Sequence, residues 1–202
     1  MFVTKSIELI FDFVSPNAYL VWQPLRALAA RQGAQVHITP AFLGGMHKLT
    51  GNAPPFIRDA EVKGKNTYAN LEMQRFIAKH GLHRYKMNPK FPFNSINLLR
   101  MLVSLESDDQ IKFIDALIPA IWEDGLDVTD VAAVATVLTK AGFDAESLAA
   151  KAQDPAIKQA VIDSTEKAVE RGVFGIPTFF IGEEMFFGKE RLGQIEEMLE
   201  KS

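Results

Sequence analysis

Ser15 is the residue best placed to do chemistry in this chain. It sits in Asp12-Phe13-Val14-Ser15-Pro16, where an alternating strand pattern gives way to an apolar-periodic helix. Serine is a favoured N-cap, and proline is tolerated at the first helical position because its missing N–H would have no partner there. A hydroxyl at that junction lies beside free backbone N–H groups and the positive end of a helix dipole, so it can stabilise an anion brought to it. The same residue can equally serve as an N-cap and nothing more. The chain contains no cysteine, which removes disulfides, iron–sulfur ligation and intrinsic thiol redox chemistry. His80 and His83 are close enough to suggest a metal pair, but no third or fourth ligand lies near them, and no metal site is expected.

The elements that must position Ser15 are readable from periodicity. Ile7, Leu9, Phe11 and Phe13 alternate with Glu8, Ile10 and Asp12 as in a strand. A helix is predicted from about Pro16 to Arg31, ending at Gly33, with Val21, Leu25 and Leu28 inward and a kink at Pro24. A second strand covers Gln35–Thr39. Gly44-Gly45 and Gly51-Asn52-Ala53-Pro54-Pro55 mark a loop, followed by a helix over Thr67–Lys79.

Asn94 or Ser95 caps a helix carrying Leu98, Leu99 and Leu102. Ile111, Ile114, Ile118 and Ile121 form a helical stripe beside Trp122. Asp127 or Thr129 opens a helix through Val131, Val134 and Leu138, and Asp154-Pro155 opens another that runs to Gly172. Thr178–Ile181 and Met185–Phe187 then read as a hairpin around Gly182-Glu183-Glu184, and a last helix spans Glu190–Lys201. The order is strand, helix, strand, a block of helices, then two strands and a helix. That order argues for one sheet domain carrying a helical insertion.

With 202 residues, 48% of them hydrophobic, the chain can bury a full core. A net charge of −3 gives no electrostatic reason to expect nucleic acid or an anionic membrane as partner. No apolar run approaches a membrane span. The strand pattern begins within six residues of Met1, so no secretory signal is expected and the cytoplasm is the default setting.

The order of elements, the Ser15-Pro16 turn and Val173-Phe174-Gly175-Ile176-Pro177-Thr178 together resemble the 2-hydroxychromene-2-carboxylate isomerases. These are relatives of the kappa-class glutathione transferases with a thioredoxin-like fold. The resemblance covers essentially the whole chain. It includes Asp12-Phe13 with Tyr19-Leu20, Gly51-Asn52 with Pro55, Lys65 with Tyr68 and Arg75, and Phe91-Pro92 with Asn94. It continues through Trp122-Glu123 with Gly125 and ends on Phe187-Gly188 with Arg191. Each motif is short, and their order and spacing make the match specific.

The resemblance implies an α/β chain: a thioredoxin-like sheet domain from residues 1–42 plus 172–202, with an all-helical insertion over 43–171. It implies a glutathione-dependent isomerase that interconverts 2-hydroxychromene-2-carboxylate and trans-o-hydroxybenzylidenepyruvate, or a related aromatic-degradation intermediate, by thiolate addition and elimination. In the thioredoxin architecture the reactive cysteine stands where Ser15 does here, so the sulfur would be borrowed from glutathione, with the Ser15 hydroxyl donating to it.

The Ile176–Pro177 peptide would be cis and offer backbone groups to the cysteinyl part of glutathione; pattern alone would make it an ordinary trans proline before a strand. Phe187, Gly188, Lys189 and Glu190 would hold the γ-glutamyl end. Here the chain departs from its relatives, with Glu190 in place of Asp and Lys189 in place of a neutral polar residue; Glu190 is also a favourable acid in a first helical turn. Asn52, Lys65, His47, Phe91, Pro92 and Asn94 would line the mouth of the cleft, where Lys65 suits a substrate carboxylate, while a solvated loop remains the simpler reading of His47. A homodimer is expected from the relatives. Two rivals stay open: a kappa-type transferase that releases a glutathione conjugate, and a binding module without turnover. A disulfide oxidoreductase is excluded by the missing cysteines.

Overall fold

In the computed structural model, which describes residues 5–201, the first alternating run becomes β1 (Ser6–Phe11). It leads into α1 (Pro16–Gln32) and β2 (Gln35–Pro40). The helical block comprises α2 (Leu43–Thr50), α3 (Pro55–Arg58), α4 (Lys65–His80), α5 (Ile96–Val103), α6 (Ser107–Trp122), α7 (Val131–Lys140), α8 (Ala145–Lys151) and α9 (Pro155–Glu170). β3 (Thr178–Ile181), β4 (Glu184–Phe187), a 3-10 turn (Lys189–Arg191) and α10 (Leu192–Lys201) close the chain. The termini of the expected sheet domain, residues 1–4 and 202, lie outside the described residues.

The sheet runs β2-β1-β3-β4. β1 pairs parallel with β2, Leu9 opposite Ile38, and antiparallel with β3, Leu9 opposite Phe179. The parallel pair needs a crossover, and α1 supplies it. β1 is therefore central, and both of its faces are covered. Ile10 is as fully buried as Ile7, Leu9 and Phe11, so the one-sided alternation expected from its sequence is replaced by burial on both faces. Glu8 survives there half-buried because Thr39 donates to it at 2.6 Å and Arg171 pairs with it at 2.8 Å. The result is a thioredoxin-type mixed sheet with helices inserted between β2 and β3.

Four local expectations need correction. Gly44-Gly45 is not a loop but the first turn of α2, which also carries His47. A Cβ on Gly44 would come within 3.1 Å of the Phe42 ring, and one on Gly45 within 3.2 Å, so these glycines allow close packing rather than a turn. The cap of α7 is Asp130, accepting from the Ala133 N–H at 3.0 Å; Asp127 instead closes a local turn with Thr129. Val131, at the first turn of that helix, faces solvent. The hairpin turn is Gly182-Glu183, Ile181 pairing with Glu184, and a 3-10 turn precedes the last α-helix. α1 runs on through Pro24 to a left-handed Gly33.

Candidate active site

Ser15 caps α1 with extended backbone, and its Oγ accepts from the Ala18 N–H at 3.2 Å. The same hydroxyl donates to the Ile176 carbonyl at 3.0 Å. That bond joins residues 161 positions apart, and the Ile176–Pro177 peptide between the two halves of the sheet domain is cis. The Pro177 segment is itself fixed. Gly188 N–H donates to the Pro177 carbonyl at 3.0 Å, and Thr178 Oγ1 donates to the Gly175 carbonyl at 2.7 Å.

Ser15 and Ile176 form part of the wall of a cavity of about 450 Å³, a size suited to a small organic ligand. His47, Asn52, Phe91, Pro92, Asn94 and Phe187 line the same cavity, so eight of the residues singled out by sequence converge on one space. Asn52 ties the cavity's two sides together: its Nδ2 donates to the Phe174 carbonyl at 2.7 Å. Phe91 precedes a second cis proline and meets Phe56 edge-on at 5.9 Å between ring centres. His47 is half-buried, and its pKa is lowered by burial first and by the neighbouring Arg58 charge second. It is therefore a neutral imidazole at pH 7.

Five expected residues are not in the lining: Pro177 and Gly188, each next in sequence to a lining residue and bonded to one another, and three that lie elsewhere. Lys65 Nζ is held by Asp59 at 2.9 Å and is not in the lining. Lys189 and Glu190 pair with each other and border a second cavity, between α1, α4 and the 3-10 turn. The Lys189 ammonium is buried over the Phe76 ring there. Glu190 does turn back toward the strand end, since a Cβ on Gly188 would lie 3.0 Å from its Oε2.

Sequence reasoning missed Asn17, Phe42 and Arg58, which also line the main cavity. Its place in the first turn of α1, next to the Ser15 cap, was a usable signal for Asn17. None existed for Arg58. It also gave Asp12 no task. This carboxylate is fully buried, accepts from Val14 N–H at 3.2 Å and from Leu43 N–H at 2.9 Å, and faces the buried Ser95 hydroxyl. Phe42, the N-cap of α2, offers no side-chain acceptor. Asp12 thus caps that helix from just beyond the end of β1 while bracing the turn that carries Ser15. Burial raises its pKa to about 6, against the opposing effect of its hydrogen bonds.

Trp122 connects the helical block to the same turn. Its indole N–H donates to the Phe13 carbonyl at 3.0 Å, and Tyr85, Phe91 and Phe93 surround it at 5.8–6.1 Å.

Comparison with known proteins agrees with this geometry. The model of the DSBA-like thioredoxin domain matches residues 6–200. A 2-hydroxychromene-2-carboxylate isomerase from Sphingobium xenophagum is 30% identical over 200 residues, covering 98% of this chain and 99% of that protein. A glutathione S-transferase kappa 1 from Homo sapiens is 25% identical, over 96% of this chain and 91% of its own length. A solved 2-hydroxychromene-2-carboxylate isomerase structure superposes with a TM-score of 0.81 at 26% identity, covering 97% of this chain and 95% of the other. With a sheet, a serine-capped α1 and a cis-proline segment arranged in this way, the chain belongs to the DSBA-like thioredoxin domain family and, within it, to the 2-hydroxychromene-2-carboxylate isomerase family of enzymes.

Proposed function

We propose that the protein is a glutathione-dependent isomerase acting on 2-hydroxychromene-2-carboxylate and trans-o-hydroxybenzylidenepyruvate, or on a related conjugated aromatic acid. The observation that carries this reading is the Ser15–Ile176 hydrogen bond in the cavity wall. When bound, glutathione supplies the nucleophilic sulfur that a chain without cysteine lacks.

The residues present fit that group. A carbonyl can only accept, so the Ser15 proton points at Ile176. An amide N–H arriving at the Ile176 carbonyl takes over that acceptor and frees the hydroxyl to turn into the cavity toward an anion. The Ala18 N–H meanwhile holds Oγ in place and polarises it. Phe42, Phe91 and Phe187 supply faces for an aromatic ring and keep water out. At the γ-glutamyl end, Glu190 is the proposed partner of the ligand ammonium, which must displace Lys189 to reach it.

The match to a kappa transferase favours one second reading, in which the conjugate is released. One assay separates them. With trans-o-hydroxybenzylidenepyruvate and a small amount of glutathione, the substrate spectrum should change reversibly without loss of thiol. Stoichiometric disappearance of thiol would instead mean a transferase, and an unchanged spectrum would remove both.

The proposed setting is the cytoplasm, where thiols are kept reduced. Among the described residues no helix is long and apolar enough to cross a membrane. The proposed assembly is a homodimer. Tyr68 and Leu71, one turn apart on α4, and Phe56 and Ile57 on α3 all expose large apolar side chains. Sedimentation should give twice the 22.5 kDa chain mass; a monomer at working concentration rejects this part.

A further inference from the structure

We infer that Arg58 is the receptor for a ligand carboxylate in the main cavity, and that Lys65 and Asp59 exist to hold it there. The inference rests on the reading above for the identity of the ligand, but not for the site itself.

Among the residues lining the cavity, Arg58 carries the only formal charge at neutral pH, and no acid is among them. His47 beside it is neutral, so nothing in the lining cancels the guanidinium. Behind Arg58 stands Asp59, a buried carboxylate that bonds Arg58 Nε at 3.0 Å and Nη2 at 3.2 Å. Lys65 bonds the same carboxylate at 2.9 Å. These two cations hold the Asp59 pKa down to about 2, Arg58 having the larger effect. The carboxylate therefore stays ionised, and two positive charges share one negative charge. The remaining charge faces the cavity through Arg58, because Lys65 does not reach it.

The guanidinium is also aimed. Its Nη1 donates to Asn52 Oδ1 at 3.3 Å, and Asn52 is fixed in turn to the Phe174 carbonyl. Three of the five guanidinium N–H donors are thus engaged, which leaves one hydrogen each on Nη1 and Nη2. A planar pair of donors matches a carboxylate in a forked geometry that a lysine cannot reproduce. The walls beside it, Phe56 and Phe91, are apolar, so the ligand class is an acid with an aromatic or conjugated body.

The carboxylate can come from the isomerised acid or from the glycyl end of glutathione, and paired ligands distinguish them. The first pair is trans-o-hydroxybenzylidenepyruvate and its neutral twin o-hydroxybenzylideneacetone, titrated without glutathione by tryptophan fluorescence. The second is glutathione and its glycinamide form, titrated calorimetrically. The wild type should bind the acid of at least one pair about tenfold or more tightly than its twin, as a charge-assisted pair implies. Arg58→Gln should abolish that preference while leaving the twin's affinity unchanged; Arg58→Lys, a folded control that keeps the charge, should retain part of it. Lys65→Met, which leaves Arg58 and Asp59 as a neutral pair, should retain only part of it.

The pair that responds names the source. A preference that survives Arg58→Gln, one lost in Lys65→Met but kept in Arg58→Gln, or a wild type indifferent to the acid in both pairs overturns the assignment. An Arg58-dependent preference in a protein that turns nothing over keeps the receptor and sinks the isomerase reading. Turnover without any such preference does the reverse.

Discussion

Alanine at position 15 is expected to raise the thiol pKa of protein-bound glutathione by about one to two units and to slow turnover roughly 10–150-fold. A free thiol ionises near pKa ~8.5, and only its anion is an effective nucleophile. A hydrogen bond to a charged group contributes about 1.5–3 kcal/mol, and one pKa unit corresponds to about 1.4 kcal/mol. The Ser15 hydroxyl is a side-chain donor at the N-terminal end of α1, where the helix dipole adds in the same direction. Ultraviolet absorbance of the thiolate against pH reads the first quantity, and steady-state kinetics the second.

Ser15 also caps α1, so Ser15→Ala should cost about 1 kcal/mol of stability in addition. Ser15→Gly separates the two roles. Glycine at an N-cap costs only a few tenths of a kcal/mol, yet it removes the hydroxyl. If Ser15→Gly leaves the bound thiol pKa where it was, the hydroxyl is a cap and not a donor to sulfur.

What was legible in the sequence was what local rules govern. Strand alternation, the serine cap, Pro16 and a terminal glycine each act within a few residues, and β1, α1 and β2 follow from them. The contact on which the proposed chemistry rests, Ser15 to Ile176, spans 161 positions and has no local signature. It was reachable only through resemblance.

Glycine misled where its two uses coincide. Gly44-Gly45 looks like a turn but serves close packing under Phe42. Lys65 lies outside the cavity lining for a different reason. Lys65 has the right spacing, but the buried Asp59 holds its ammonium and leaves Arg58 facing the cavity. Asp59 binds both cations, and which of them still borders the cavity is decided by how the chain around α3 and α4 packs. Lys189 illustrates the same limit: its ammonium is buried where α4 brings the Phe76 ring against it.

Asp12→Asn should change how stability varies with pH by about 3 kcal/mol. The Asp12 carboxyl titrates near 6 in the fold against 3.8 for an unperturbed aspartate, and 2.2 units corresponds to about 3 kcal/mol. The sign follows from which state holds the proton more tightly. Here it is the folded one, because burial penalises the charge. The stabilising contribution of Asp12 is therefore complete below about pH 4 and is lost as the pH rises through about 6.

Urea unfolding of both proteins should then show the wild type losing most of that 3 kcal/mol relative to Asp12→Asn between about pH 4 and 7. Using the variant as reference removes the opposite contribution of acids such as Asp59 and Glu8, whose pKa values are lowered and which both proteins share. The protein tolerates this buried charge because the ionised carboxylate accepts from Leu43 N–H at the unsatisfied start of α2 and from Val14 N–H beside Ser15. Parallel stability curves for the two proteins across that range would mean that water reaches Asp12 and that the brace beneath the Ser15 turn is looser than the structure shows.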